Sequence, residues 1–137
     1  HCFAISPRAV YGFGGNHFGQ LGMGTTEDVK RPEVIRGIDR SRLVMMACGG
    51  NHTIVVQTNQ VLACGRNDFG QCGIGSKEAP PSLAVVVEQP SSEKHQIKHA
   101  SCGPSHSMFV LGSGELLGCG RNDMGQLGLG PEFRMVD

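Results

Sequence analysis

The chain has 137 residues, of which 39% are hydrophobic and 18% charged, a composition typical of a folded globular protein rather than a disordered one. Twelve basic side chains balance twelve acidic ones, so the sequence lacks the positive field that nonspecific binding to nucleic acid or to an acidic membrane requires. Its apolar stretches also fall far short of the roughly 18 residues of a membrane-spanning helix. Glycine is abundant, at 21 residues, which predicts many turns and few helices.

One glycine-rich segment occurs three times. Its copies are YGFGGNHFGQLGMG at 11–24, LACGRNDFGQCGIG at 62–75 and LGCGRNDMGQLGLG at 117–130. They share the pattern G-x-N-x-x-G-Q-x-G-x-G, which we call the frame. The first frame glycines of successive copies are 51 and 55 residues apart. This period is in the range of propeller blades and above that of helical solenoid repeats.

The frame is predicted to be a turn motif. Its copies contain 15 of the 21 glycines, at points where a chain leaving a strand must reverse with positive φ and approach its neighbour closely. The frame asparagines are expected to adopt left-handed conformations and to bond their own backbone. The structural turn residues are therefore Gly14, Asn16, Gly19, Gln20, Gly65, Asn67, Gly70, Gln71, Gly120, Asn122, Gly125 and Gln126.

A second element precedes each frame. It reads HCFAI at 1–5, ACGGNHTIVV at 47–56 and SCGPSHSMFV at 101–110, and its His lies 13 or 14 residues before the first frame glycine. We therefore predict four units. They are the C-terminal half of a truncated repeat at 1–24, complete repeats at 25–75 and 76–130, and the start of a further repeat or a tail at 131–137.

Short apolar segments within these units predict β-strands. They are about as long as average strands and are bounded by turn residues, as in antiparallel hairpins. The expected strands lie at 44–47, 53–57, 61–64, 97–101, 107–111 and 115–119, with a further strand at 34–36 and 84–87, after Pro32 and Pro81. The prediction is an all-β protein built as blades of a β-propeller.

The frame and the G-x-x-H element upstream of it resemble the repeat of the regulator-of-chromosome-condensation family. This resemblance implies about two and a half repeats of a seven-bladed β-propeller. Because seven units of about 50 residues need roughly 350 residues, the chain is not expected to close a ring alone, and the remaining blades are expected from the same or another chain. The family includes an exchange factor for the GTPase Ran, ubiquitin-ligase modules, ciliary scaffolds and a plant photoreceptor. The clustered tryptophans of the photoreceptor are excluded, since the sequence contains none.

The recurring histidines and cysteines are expected to be structural. Equivalent residues of adjacent blades are related by rotation and need not converge, so His1, His52 and His106 are interpreted as side chains bonded to a neighbouring turn. The six cysteines contain no C-x-x-C pair and are expected to be buried and reduced, with disulfides or zinc as the alternatives. No catalytic constellation or phosphate-binding loop is found, so we predict no catalytic residue, cofactor or metal.

Two segments, 30–42 and 77–99, differ between the repeats, and variable loops on a rigid scaffold are where recognition tends to occur. A solvated connection is the alternative for both segments. The charged turn residues of the frame are a further set, for which a plain surface turn is the alternative. The candidate partner contacts are Arg66, Asp68, Arg121, Asp123, Arg36, Arg40 and Arg42.

These observations predict a non-enzymatic scaffold that binds protein partners in the cytoplasm or the nucleus. The alternative, which rests on the resemblance alone, is a guanine nucleotide exchange factor for a Ran-like small GTPase, with chromatin contact by the same analogy. A zinc or redox protein would require the cysteines and histidines to converge. Neither a membrane nor nucleic acid is expected as a partner of this segment, because the net charge is zero and no basic tail is present.

Overall fold

The computed structural model describes residues 1–80 and 82–130, and its regular structure is almost entirely β. The described residues contain ten strands and one turn of 3₁₀ helix, Glu93–His95, and no helix among them is long and apolar enough to cross a membrane. The strands are β1 Cys2–Ile5, β2 Val10–Gly14, β3 Val29–Val34, β4 Leu43–Cys48, β5 His52–Gln57, β6 Gln60–Gly65, β7 Ala84–Glu88, β8 Ile97–Cys102, β9 His106–Leu111 and β10 Leu116–Gly120. The predicted all-β class is confirmed.

The strands form three antiparallel sheets in which strands that follow one another in the chain lie side by side. Blade one has the order β1-β2-β3, blade two β4-β5-β6-β7 and blade three β8-β9-β10. Strands β5 and β9 occupy the same place in their blades, since Thr53 pairs with Cys64 as Ser107 pairs with Cys119. The repeated sequence is therefore folded into repeated sheets, as the propeller prediction requires.

The outer strand of blade one differs from the prediction. Strand β3 was expected at 34–36 but occupies Val29–Val34, which places Pro32 inside it. Pro32 is tolerated because β3 is an edge strand and its register with β2 shifts between Gly12 and Gly14, so no ladder bond from the proline nitrogen is needed. The other expected outer strand, 84–87, agrees with β7. Pro81 and residues 131–137 lie outside the described residues.

Blade two contains the most deeply buried strands. Every residue of β5 and five of the six residues of β6 are buried, because blade two lies between the two other sheets and both of its faces are covered. The core runs from this blade into blade three through Ile54, Val56 and Phe109. Each fully buried side chain of this size contributes about 1.5–3 kcal/mol. Strand β10 is largely exposed, since blade three is covered on one side only.

Candidate protein-interaction surface

The loops lie at two opposite ends of the strands. Residues 15–28, 66–80 and 82–83, which contain the frames of blades one and two, lie at the end that we call the frame rim. Residues 35–42 and 89–96, which connect successive blades, lie at the other end, the connector rim, together with the β1–β2 and β5–β6 hairpins. Strands of five or six residues separate the two rims by roughly 15–20 Å.

A buried asparagine ties each frame loop to itself. The Asn67 Nδ2 atom donates hydrogen bonds to the backbone oxygens of Ser76 (2.8 Å) and Glu78 (2.9 Å), and its Oδ1 atom accepts one from the Cys72 N–H. Asn16 makes the same three bonds in blade one, and Asn122 accepts the bond from Leu127. Asn16 and Asn67 are fully buried.

The expected left-handed asparagines are wrong, since among the described residues only glycines have positive φ. The positive φ of the frame glycines is confirmed at Gly14, Gly19, Gly65, Gly70, Gly120 and Gly125. The frame asparagines therefore act through their side chains, and the glycines supply the reversals of the backbone.

The frame glutamines complete the turns. The Oε1 atom of Gln20 accepts the N–H of Phe18, and Gln71 and Gln126 do the same for Phe69 and Met124, at 2.8–2.9 Å. The backbone oxygen of Gln71 is also an acceptor for the Ser107 hydroxyl of the next blade, at 2.7 Å. The frame thus contributes to the contact between blades as well as to its own loop.

One histidine of blade one and one of blade two extend the contact between blades. The Nε2 atom of His52 lies 2.8 Å from Ser107 Oγ, and His1 lies at the same distance from Thr53 Oγ1. Because Ser107 Oγ donates to Gln71, it accepts from His52, which must then carry its proton on Nε2. The buried Nδ1 atom of His52 has no hydrogen-bond partner. Desolvation lowers the pKa of His52 to about 4, so the ring is neutral at pH 7.

The histidine interpretation therefore changes in one respect: His1 and His52 bond to a strand residue of the next blade, not to a turn. The sequence does carry a signal for this contact, because a hydroxyl residue directly follows His52 and His106. That signal is local, whereas the bond joins residues 52 and 55 positions apart, and spacing alone does not show which blade supplies the partner.

The charged pairs of the frame are closed within their own turns. Arg66 donates to both oxygens of Asp68, at 2.6–3.0 Å, and Arg121 pairs with Asp123 in the same way. These hydrogen bonds lower the pKa of Asp68 and that of Asp123. Each guanidinium also lies over an aromatic ring of the preceding blade, Arg66 over Phe18 and Arg121 over Phe69, at 5.3 Å. Each of these arginines is therefore held in place by an ion pair and a ring contact within the molecule.

The arginines of the connector rim are less engaged. Arg40 donates to the backbone oxygen of Ser6 at 2.7 Å, and Arg42 pairs with Asp39 at 3.2 Å with both side chains about half exposed. Arg36 is exposed, and within the described residues it has no recorded hydrogen bond or ion pair. The structure thus places the predicted contacts on two opposite rims, with Arg66, Asp68, Arg121 and Asp123 in the frames and Arg36, Arg40 and Arg42 in the first connector.

The cysteines do not form a reactive or metal-binding group. All six are free thiols, and no group of three or more His, Cys, Asp or Glu side chains among the described residues could hold a metal ion. Cys64 and Cys72 are buried as expected, but Cys2 and Cys48 are exposed. Burial raises the pKa of Cys64 to about 12 and that of Cys119 to about 11, so both are neutral thiols at pH 7.

Comparison with known proteins agrees with this geometry. Two family models, both described as regulator of chromosome condensation (RCC1) repeat, match residues 9–56 and 58–110 and residues 97–126. The chain is 36% identical to the X-linked retinitis pigmentosa GTPase regulator of Canis lupus familiaris over 88% of this chain and 12% of that protein. It is 36% identical to Protein RCC2 of Homo sapiens over 99% of this chain and 26% of that protein.

Among solved structures, the chain resembles Prp20p from Saccharomyces cerevisiae with a TM-score of 0.80 and 25% identity. The match covers 98% of this chain and 34% of Prp20p. The chain therefore spans between an eighth and about a third of the length of these three proteins.

Proposed function

Because the chain belongs to the regulator of chromosome condensation (RCC1) repeat family, we propose that it is part of a non-catalytic propeller scaffold that binds protein partners through its connector rim. The chain would work inside the cell, in the cytoplasm or the nucleus. Its buried, neutral thiols suit a reducing compartment.

One observation carries this proposal: each frame arginine is held by an internal ion pair, whereas the connector rim contains an exposed arginine, Arg36, that no described residue holds. The frame arginines are held by their own aspartates and lie on phenylalanine rings, whereas the exposed Arg36 makes no hydrogen bond or ion pair with the described residues. The connectors also vary in sequence between repeats. Loops that vary on a rigid scaffold are where binding residues are most often found. The first connector contains Arg36, Arg40 and Arg42 against one acid, Asp39, so the expected partner presents an acidic surface.

Partner capture by charge-reversed variants tests the assignment. Arg36→Glu reverses a charge on the connector rim, and Arg31→Glu makes the same change on the edge strand β3 as the matched control. We expect a partner held by the unaltered chain to be held by the control and to bind at least tenfold less to Arg36→Glu. Loss of the partner with Arg121→Ser on the frame rim, but not with Arg36→Glu, would contradict the assignment.

A second candidate is guanine nucleotide exchange on a Ran-like small GTPase. One relative is named a GTPase regulator, and Prp20p has binding properties to Gsp1p and histones. An exchange factor works by binding the nucleotide-free GTPase more tightly than the loaded one. Faster release of a fluorescent guanine nucleotide from such a GTPase on addition of the chain would favour exchange over the scaffold, and EDTA serves as the positive control. Contact with histones or chromatin is a further proposal on the same ground.

A further inference from the structure

The first connector ends in a tight turn that presents a serine to solvent. The N–H and the hydroxyl of Ser41 both donate to Oδ1 of Asp39, at 3.0 and 2.6 Å. The backbone holds this turn from both sides. Gln57 Nε2 donates to the Asp39 oxygen at 3.0 Å, and the Thr58 N–H donates to the Arg42 oxygen at 2.9 Å. Because Ser41 is exposed and its two bonds stay within the turn, a modifying enzyme can reach its hydroxyl without unfolding the connector.

Arginines stand on both sides of Ser41, which is true of no other serine or threonine in the sequence. The Nε atom of Arg40 donates to the backbone oxygen of Ser6 at 2.7 Å, a bond that uses one of the five N–H donors of the guanidinium. Arg42 pairs with Asp39 at 3.2 Å, and both of these side chains are about half exposed. A serine between two surface arginines suits an enzyme with an acidic substrate cleft, as in protein kinases directed to arginine.

A phosphate on Ser41 would cancel the positive charge of this connector. Residues 35–42 contain three arginines and one aspartate, which gives a formal charge of +2. A phosphoserine carries a charge of about −1.5 to −2 near pH 7, so the modified connector is close to neutral. The second connector, residues 89–96, contains no arginine. The attraction that an acidic partner feels therefore resides in the first connector, where this one modification removes it.

The phosphate would also compete for the arginines that a partner needs. The hydrogen bond from the Ser41 hydroxyl is the chief reason that the pKa of Asp39 is lowered, and the phosphate ester has no hydrogen to donate. Two anions would then lie side by side, and their repulsion would turn Asp39 away from Arg42. Arg40 and Arg42, on either side of the phosphate, would pair with it, since arginine forms strong bidentate hydrogen bonds with phosphate. A modified Ser41 thus occupies the arginines from within the chain.

We propose that Ser41 is a phosphorylation site that switches off the binding of an acidic partner at the connector rim. The modifying enzyme is an arginine-directed protein kinase, and magnesium–ATP is the phosphoryl donor. The Ser41 Oγ atom forms a bond to the γ-phosphorus of ATP, the bond from that phosphorus to the ADP oxygen breaks, and the hydroxyl proton passes to the catalytic base of the kinase. The inference concerns the regulation of the binding surface and rests on the proposed function.

The first test measures whether a kinase selects Ser41. The chain is incubated with magnesium–ATP and protein kinase C, and mass spectrometry follows the phosphate at each serine. Ser113 is the matched control, because it is exposed and its hydroxyl donates to Glu115 at 3.0 Å, but its neighbours are glycines. We expect phosphate to enter Ser41 at least tenfold faster than Ser113, and Arg40→Gln combined with Arg42→Gln to abolish the difference. Equal rates at the two serines of the unaltered chain would overturn the site.

The second test measures the consequence for binding, with immobilised poly-L-glutamate as the acidic probe. Phosphoserine is incorporated in place of Ser41, or in place of Ser113 as the control that adds the same charge elsewhere. We expect phosphoserine at position 41 to weaken binding at least tenfold and phosphoserine at position 113 to weaken it less than threefold. Equal weakening by the two would contradict the switch, because the net charge of the chain would then account for the whole effect.

The same probe separates this inference from the proposed function. If the unaltered chain does not bind poly-L-glutamate, or if Arg36→Glu binds it equally well, the connector rim is not a surface for acidic partners and the proposed function fails. If binding depends on Arg36 but phosphoserine at position 41 leaves it unchanged, the proposed function stands and the switch is wrong. Binding that depends on Arg36 and is lost with phosphoserine at position 41 alone supports both.

Discussion

Asn67 and Arg66 on the frame rim are bonded within the molecule, whereas the side chains of Asn59 and Arg36 on the connector rim are exposed. On the frame rim, Asn67, Gln71 and Arg66 bond to their own loop, to the next blade or to an aspartate two residues away. On the connector rim, Asn59 and Arg36 are exposed. Residues that recur in the frames therefore build the loops and the contacts between blades, whereas the exposed Asn59 and Arg36 lie where the repeats differ in sequence. Four variant pairs test this comparison.

The largest loss of stability is expected when the buried Asn67 is replaced. Asn67→Ala removes two donated bonds and one accepted bond, empties a fully buried position and leaves the N–H of the buried Cys72 without its partner. The expected loss is about 4 kcal/mol in the free energy of unfolding. Asn59→Ala in the exposed β5–β6 hairpin is the control and should change it by less than about 0.5 kcal/mol. Urea denaturation measures both, and equal losses would refute the structural role of the frame.

The second prediction is that His52 makes the free energy of unfolding depend on pH. Its pKa falls from the ordinary 6.5 to about 4 on folding, so the unfolded chain binds the proton first as the pH drops. Stability from this group is complete above pH 6.5 and is lost as the pH falls towards 4, by up to about 3 kcal/mol. We expect His52→Gln to flatten the unfolding free energy between pH 7 and 4.5. In the control His95→Gln, on the connector rim, the free energy of unfolding should still fall with pH. Loss of this pH dependence in His95→Gln, with retention in His52→Gln, would contradict its assignment to His52.

The third prediction concerns glycines of the frame loops, and it compares a glycine that has a positive φ with one that does not. Gly70 has a φ of 76°, and a Cβ placed there meets no atom within 4 Å, so the cost of a side chain is conformational alone. We expect Gly70→Val to lower the free energy of unfolding by about 2 kcal/mol. Gly15, in the frame of blade one, has no positive φ and has room for a Cβ, so Gly15→Val is the control. Thermal melting compares them, and an unchanged Gly70→Val melt would disprove the turn assignment.

The smallest loss is expected from the stacked arginine. Arg66→Ala removes an exposed ion pair and the cover over Phe18, which together stabilise weakly in water. The loss should be smaller than that of Gly70→Val, and Arg66→Lys should restore little of it, because an ammonium cannot reproduce the bidentate pair. Arg36→Ala should leave the melting temperature unchanged. If Arg36→Ala lowers the melting temperature more than Arg66→Ala does, the stated difference between the two rims is wrong.

The sequence predicts the local features of this structure well. The periodic frame indicates the blades, the strand segments fall within one or two residues of those observed in blades two and three, and the glycines mark the positive φ angles. The exceptions are non-local. Strand β3 lies earlier than expected because its bulge opposite Gly12–Gly14 accommodates Pro32. The bond from His52 to Ser107 joins two blades, and no spacing within one repeat indicates it.

The candidate site was less predictable than the fold. The charged residues of the frame and those of the first connector look equivalent in the sequence, as exposed arginines near acids. Only the fold places them on opposite rims and shows that Phe18 and Phe69 cover the frame arginines. The frame asparagines illustrate the same point, because their burial follows from the return of the chain nine to eleven residues later.

Native-state hydrogen exchange tests the central claim most directly, since it measures the stability of both rims in one unaltered chain. The amide of Cys72 bonds to Asn67, and that of Leu21 bonds to Asn16, deep in the frame. We predict that both exchange only through global unfolding, with the full free energy of unfolding, whereas amides of the connector at 36–40 exchange through local opening. Frame amides that exchange as fast as those of the connector would contradict the account.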